Sequence, residues 1–376
     1  MKKRPSICFV SLPIYPVLDP SKSLEGIGGA EVQQRFLIHE LVRRGFDVSV
    51  ITRDYGQPDE QEINGVRILK TCSASAGLPL LRQFHPRTTS LWRCMKAVNA
   101  DIYYQRTASF NTGVVAHFCR KHSKRFIFSV AHDNDVAGGR VSRGSKRRFS
   151  VTEFRDRKMF EYGLKTADQI VVQNTRQGLQ LRNGFGLEST EIKSTYKPNK
   201  LPVAEPSDTI LWVARLLPWK RPEIFIRLAK QFPEYSFILI GGTDDKNYYR
   251  SLALQADNAN CQMTGFLHYE EVEKYFDQAR LFVNTSDAEG FPNTFLQALA
   301  RGIPILSSVD PSGIIGKHHL GHYCESIEAF SHHLAAFMDN SELHRDTSIR
   351  CKNHFAQHHA PDLVGQHYET LLMSMA

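Results

Sequence analysis

Ten short apolar runs punctuate the chain, at residues 6–12, 46–52, 102–105, 125–131, 169–173, 209–213, 237–240, 261–264, 281–284 and 303–307. The first, residues 6–12, is near-continuously hydrophobic, the pattern of a strand buried on both faces of a parallel sheet. Helix-length segments separate them; Phe36, Leu37, Leu41 and Val42, for example, recur at helical spacing ahead of Gly45. Strand–helix alternation of this kind predicts an α/β fold in which ligands bind beyond the carboxyl ends of the strands. The rhythm breaks at residues 197–208, which hold three prolines, and restarts at Thr209. That break is the expected domain boundary, giving domains at 1–200 and 201–356.

Length and composition agree with two domains. A chain of 376 residues is about twice the usual domain size, and 41% hydrophobic with 23% charged residues is the make-up of a soluble globular protein. No apolar run approaches the roughly 18 residues needed to cross a bilayer. The basic start reads as the lead-in to a first strand rather than a signal peptide. Seven cysteines without C-x-x-C spacing point to reduced thiols and a cytoplasmic protein. Charge changes the picture more. Residues 1–200 carry 33 Lys and Arg against 18 Asp and Glu, whereas 201–376 carry 14 against 21. Halves so different in charge are expected to meet different partners.

The basic half is densest between Arg120 and Lys158, through Arg140, Arg143, Lys146, Arg147 and Arg148. This stretch reads either as a solvated loop and helix face or as an acceptor or membrane-facing surface for anionic headgroups, which would bring the protein to the inner face of the membrane. Nucleic acid is disfavoured, because aromatic residues are not interleaved at stacking spacing.

Candidate chemistry clusters after the strands. Residues 288–302 read as turn, then helix, with Asn293 and Thr294 as candidate N-caps, Gly302 as the C-terminal stop and Pro304 behind it. A helix beginning there aims unpaired N–H groups at an anion, and Glu289 and Gly290 stand on the turn in front of it. Arg215 and Lys220 fall on the loop after the run 209–213, a pair suited to a diphosphate. Gly28 and Gly29 precede a helix in the first half, and His132 ends the run 125–131. Asp133-Asn134-Asp135 has the D-x-D form used for metals in some transferases, but three residues are weak evidence and no metal ligand is assigned. G-x-G-x-x-G is absent, which argues against a dinucleotide-binding Rossmann enzyme.

Glu289 followed eight positions later by Gln297, within Glu-Gly-Phe-Pro-Asn-Thr-Phe-Leu-Gln-Ala-Leu-Ala-x-Gly-x-Pro, resembles the E-x7-E signature of glycosyltransferase family 4. Ala214-Arg215 with Lys220 resembles that family's G-R-x-x-x-x-K donor-phosphate motif, with Ala in place of Gly. The resemblance implies a GT-B fold of two Rossmann-like domains facing a central cleft, with a C-terminal helix, about 357–376, crossing back to the first domain. It implies a retaining, metal-independent transferase without cofactor, moving a sugar from a nucleotide-sugar to a saccharide acceptor, lipid-linked on this reading, in cell-surface polysaccharide, lipopolysaccharide or glycolipid synthesis. Glu289 and His132 would hold the donor sugar and Arg215 and Lys220 its phosphates. Gly28, Gly29, Gly241, Gly265, Gly290, Phe291, Pro292, Asn293 and Thr294 would line the donor site. Gln297 departs from the family's Glu and has two readings, a ribose contact or a capping box formed with Thr294. A GT-B phosphorylase or epimerase and a non-catalytic nucleic-acid module remain alternatives.

Overall fold

The computed structural model describes residues 4–19, 21–22, 28–79, 81–136, 151–198 and 207–376. The chain divides into two compact units, one made of residues 1–195 with 361–376 and the other of residues 196–360. Most of the proline-rich break, residues 199–206, lies outside the described residues.

The first unit is built on a sheet of eight strands: β1 (Ile7–Val10), β2 (Val48–Thr52), β3 (Glu60–Ile63), β4 (Val66–Lys70), β5 (Ile102–Arg106), β6 (Arg125–Ser129), β7 (Gln169–Val172) and β8 (Thr190–Glu191). Their order is β3-β4-β2-β1-β5-β6-β7-β8, parallel except for the β3–β4 pair. Although β1 is apolar throughout, its side chains alternate between two cores. Ile7 and Phe9 join one cluster with Ile38 and Leu41, while Cys8 and Val10 join another with Phe118, Phe128 and Phe160. The helix Pro361–Ser374 belongs to this unit as expected. Its Val364, Tyr368, Leu371 and Leu372 complete the core beneath the helix Gly29–Arg43, and Glu369 pairs with Arg4 at 3.0 Å and Arg44 at 2.7 Å.

The second unit carries six parallel strands, β9 (Thr209–Val213), β10 (Ser236–Ile240), β11 (Cys261–Gly265), β12 (Ala279–Asn284), β13 (Ile305–Ser307) and β14 (Gly321–Tyr323), in the order β11-β10-β9-β12-β13-β14. Trp212, Phe225, Phe237 and Phe330 fill one face. Phe276, Phe282 and Phe295 pack on the other, with successive ring centroids 5.5 and 6.3 Å apart. Because every strand runs the same way, all the loops that follow the strands emerge along one edge.

Candidate functional site

In the second unit two of those loops meet. The loop after β9 closes in a short turn, Pro218–Lys220, before the helix Pro222–Gln231. The segment after β12 runs from Thr285 to the helix Asn293–Arg301. Thr285 joins them: its buried hydroxyl accepts the Trp212 indole N–H at 2.9 Å and donates toward the Lys220 and Arg221 carbonyls at 2.7 and 2.8 Å. The Asp287 N–H adds a bond to the Trp219 carbonyl at 2.8 Å, and Arg221 pairs with Asp287 at 3.1 Å.

Held in this way, the Lys220 ammonium pairs directly with the Glu289 carboxylate. Ser286 Oγ donates to the same carboxylate at 2.8 Å, and the ammonium lies 4.1 Å from the Trp219 ring centre. The two side chains are only 12% and 11% exposed. Low exposure strengthens their mutual attraction and makes either charge costly to leave alone. Arg215, from the same loop, is different: its side chain is 57% exposed and reaches Asp244 only at 3.9 Å. Gly241 and Gly265 sit at the ends of neighbouring strands. The Gly241 N–H bonds the Gly265 carbonyl at 3.0 Å, and a Cβ at Gly241 would collide with the Ala214 carbonyl, so the loops after β9 and β10 can approach only around a glycine.

The helix after Glu289 begins one residue earlier than the sequence suggested. Its N-cap is Pro292, with φ −64° and ψ 131°, so Asn293 and Thr294 are its first helical residues and neither caps it; Gly302 ends it at φ 76°. Proline has no N–H for a capping box to return to, which removes that reading of Gln297. Gln297 is buried, and its amide instead donates to Glu273 Oε1 at 2.6 Å. Glu273 also takes Arg301 at 2.8 Å and the Tyr196 hydroxyl, while Arg301 reaches Asp277 at 2.6 Å. The ring of Phe291 packs 6.3 Å from Phe295 and 5.2 Å from His359, and Gly290 is buried beside it.

The first unit presents its own sheet edge. Gly28 is the N-cap of the helix Gly29–Arg43, and its N–H is held by Glu31 Oε2 at 3.1 Å. Burial raises the Glu31 carboxyl above its ordinary range. His132 follows β6. Its N–H and that of Ala131 go to Asp135 Oδ2 at 3.0 and 2.9 Å, and burial likewise raises the Asp135 carboxyl. Asp133 Oδ1 accepts the Gln177 amide at 2.9 Å. Asp135 therefore braces its own turn, and Asp133 ties that turn to the helix Thr175–Phe185. Arg140, Arg143, Lys146, Arg147 and Arg148 lie outside the described residues. On the helix Val151–Thr166 that follows, Arg155, Arg157 and Lys158 are paired with Asp156 or Glu161.

Thr285, Ser286 and Trp212 were missed by reasoning on the sequence. Two signals for them exist: a hydroxyl pair immediately after an apolar strand, and an indole N–H inside a strand where it needs a partner.

Two parallel-sheet α/β units, with functional loops at the carboxyl edges, place the molecule in the GT-B class. The family model described as "Glycosyl transferases group 1" matches residues 194–354, and that described as "Glycosyltransferase Family 4" matches residues 27–196. The chain belongs to glycosyltransferase family 4 and is a glycosyltransferase. It is 23% identical to an uncharacterized glycosyltransferase of Haemophilus influenzae over 345 residues, 86% of this chain and 91% of that one. It is 30% identical over 152 residues to the O-antigen biosynthesis glycosyltransferase WbnH of Escherichia coli, which is 39% of this chain and 42% of WbnH. Anabaena HepE, solved with UDP and glucose, superimposes with a TM-score of 0.73 at 15% identity, covering 98% of this chain and 100% of that one.

Proposed function

We propose that the chain is a retaining, metal-independent hexosyltransferase that takes its sugar from a nucleotide-sugar and passes it to a saccharide, lipid-linked, in the synthesis of a cell-surface polysaccharide or glycolipid. The observation that carries the donor half is the Lys220–Glu289 pair, braced by Ser286 and Thr285 directly before the helix Asn293–Arg301. In this reading Glu289 receives sugar hydroxyls, while Lys220, Arg215 and the N–H groups at the helix start receive the departing diphosphate. Fixed charges aimed at developing negative charge need no reorganisation during the reaction. Arg215, exposed and weakly paired, is free to turn to the phosphates. Gly241, Gly265 and the turn from Gly290 to Thr294 flank the nucleotide, His132 is assigned to the sugar, and Gly28 and Gly29 serve the first unit's part. The ligands of HepE and the O-antigen role of WbnH support a nucleotide-sugar donor and a polysaccharide product.

The test is a thermal-shift survey of nucleotide-sugars followed by kinetics. A true donor at 100 times its Kd stabilises the protein by about 2.7 kcal/mol. Arg215→Met and the charge-neutral double change Lys220→Met with Glu289→Gln should each lower kcat/KM at least about tenfold, the loss expected when charge-assisted bonds of about 1.5–3 kcal/mol disappear. The double change avoids stranding a buried charge, so unchanged kcat/KM would overturn the phosphate and sugar assignments rather than report misfolding.

A further inference from the structure

The first unit's sheet edge holds an arginine, Arg53, whose guanidinium has no partner among the described residues. The segments after β1, β2 and β4 surround a pocket of about 220 Å³, whose lining includes Leu12, Arg53, Ser73, Gln83, Arg87 and Asn111. Arg53 directly follows β2 and is half-buried, and its guanidinium makes no hydrogen bond or ion pair among the described residues. Glu31 is a carboxylate whose charge acts on Arg53, but it holds the Gly28 N–H and forms no ion pair with that arginine. Arg87 donates one Nη to the Ala74 carbonyl at 2.7 Å, which fixes its guanidinium at the pocket wall with donors to spare. Withdrawing guanidinium groups from water without partners is unfavourable. A planar fork of donors matches a phosphate.

The segment that supplies Gln83 and Arg87 also carries three exposed apolar side chains, Leu78, Leu81 and Phe84, at 70%, 60% and 56% exposure. Phe84 stands edge-on to Phe110 at 6.5 Å. An apolar rim beside a cationic pocket matches a molecule with an anionic head and a hydrocarbon tail.

We propose that this pocket binds the pyrophosphate of an amphiphilic acceptor, with Arg53 and Arg87 on the phosphates and Leu78, Leu81 and Phe84 along its hydrocarbon chain. The inference rests on the proposed transfer to a lipid-linked saccharide, and it gives that acceptor a chemical class of head group and a place in the first unit. The experiment is calorimetric titration of the full chain with inorganic pyrophosphate and with farnesyl pyrophosphate, in saturating UDP so that the second unit's cations are occupied. Both should bind, farnesyl pyrophosphate at least about tenfold more tightly, since about two buried methylenes suffice for that difference. Arg53→Gln should weaken both ligands about tenfold with the melting temperature unchanged, and Arg87→Gln should weaken both as well. Leu81→Ser with Phe84→Ser should weaken only the farnesyl ligand. Binding indifferent to both arginine changes overturns the site. Equal affinity for the two ligands overturns the lipid and leaves a free-phosphate site. If UDP itself gives no heat, a uridine-nucleotide donor fails separately, and the dependence of pyrophosphate binding on Arg53 and Arg87 still decides this site.

Discussion

Gln297 occupies the position where the family resemblance places a glutamate, and the residue facing it supplies a physical reason for the amide. Glu273 is fully buried and already takes Gln297, Arg301 and Tyr196. A second carboxylate in place of the Gln297 amide, which lies 2.6 Å from Glu273 Oε1, would be forced to keep a proton or repel. Gln297→Glu is therefore expected to destabilise the second unit by a few kcal/mol at pH 8. The shared proton raises a carboxyl pKa in the folded state above its unfolded value. The folded state then binds the extra proton, so the deficit should shrink as pH falls toward 5. Melting temperatures of parent and variant at pH 8 and pH 5 check this; a variant as stable as its parent at pH 8 would remove Glu273 from the explanation. The same residue shows a limit of the sequence. Lys220 and Glu289 could be picked out because each follows a strand at the ligand edge, whereas the partner of Gln297 lies on the helix Tyr269–Gln278, 24 positions away, with no motif joining the two.

Among elements, the last strand of the second sheet carries a pH dependence of its own. His322 of β14 stacks on His333 of the helix Ile327–Asp339, ring centroids 3.7 Å apart and ring planes nearly parallel. Burial first, and then the charge of His333, lower the His322 pKa to about 4. Because its folded value lies below the unfolded one near 6.5, the stabilisation is complete above pH 6.5 and is lost as pH falls through 4. His322→Phe, which keeps the stacking, should flatten the fall in melting temperature between pH 7 and pH 4; an unaltered slope would place the acid sensitivity elsewhere. The strand itself escaped the hydrophobic pattern, as did β3, β4 and β8. β8 and β14 have only two and three residues, too few to show a period. β3 and β4 form a hairpin across Asn64 and Gly65, whose φ values of 51° and 78° suit the Asn-Gly turn. Its outer strand alternates between exposed and half-covered positions, so no continuous apolar run announces it. Most of the ten strands that were legible are buried on both faces, which makes composition sufficient; β11, where only Cys261 is buried, is the exception. Cap placement was not legible: Pro292, Asn293 and Thr294 are adjacent and all tolerated near a helix start, and backbone geometry chose among them.

At the scale of the molecule, the first unit is discontinuous in sequence, since residues 361–376 return to it after the second is complete. Val364, Tyr368, Leu371 and Leu372 are each at most 8% exposed in its core. At about 1.5–3 kcal/mol for each large buried side chain, removing them costs an amount comparable to a typical domain's total stability. A chain ending at Ala360 should lose the first unit's cooperative melting transition and keep the second's; two intact calorimetric transitions would show the helix to be dispensable. The same connectivity sets an order during synthesis. The second unit is one continuous stretch and can close as soon as it emerges, while the first, translated earlier, waits with an open core until residues 361–376 have been made. The half of the enzyme that begins first is finished last, and until then it depends on whatever shields apolar surface in the cell.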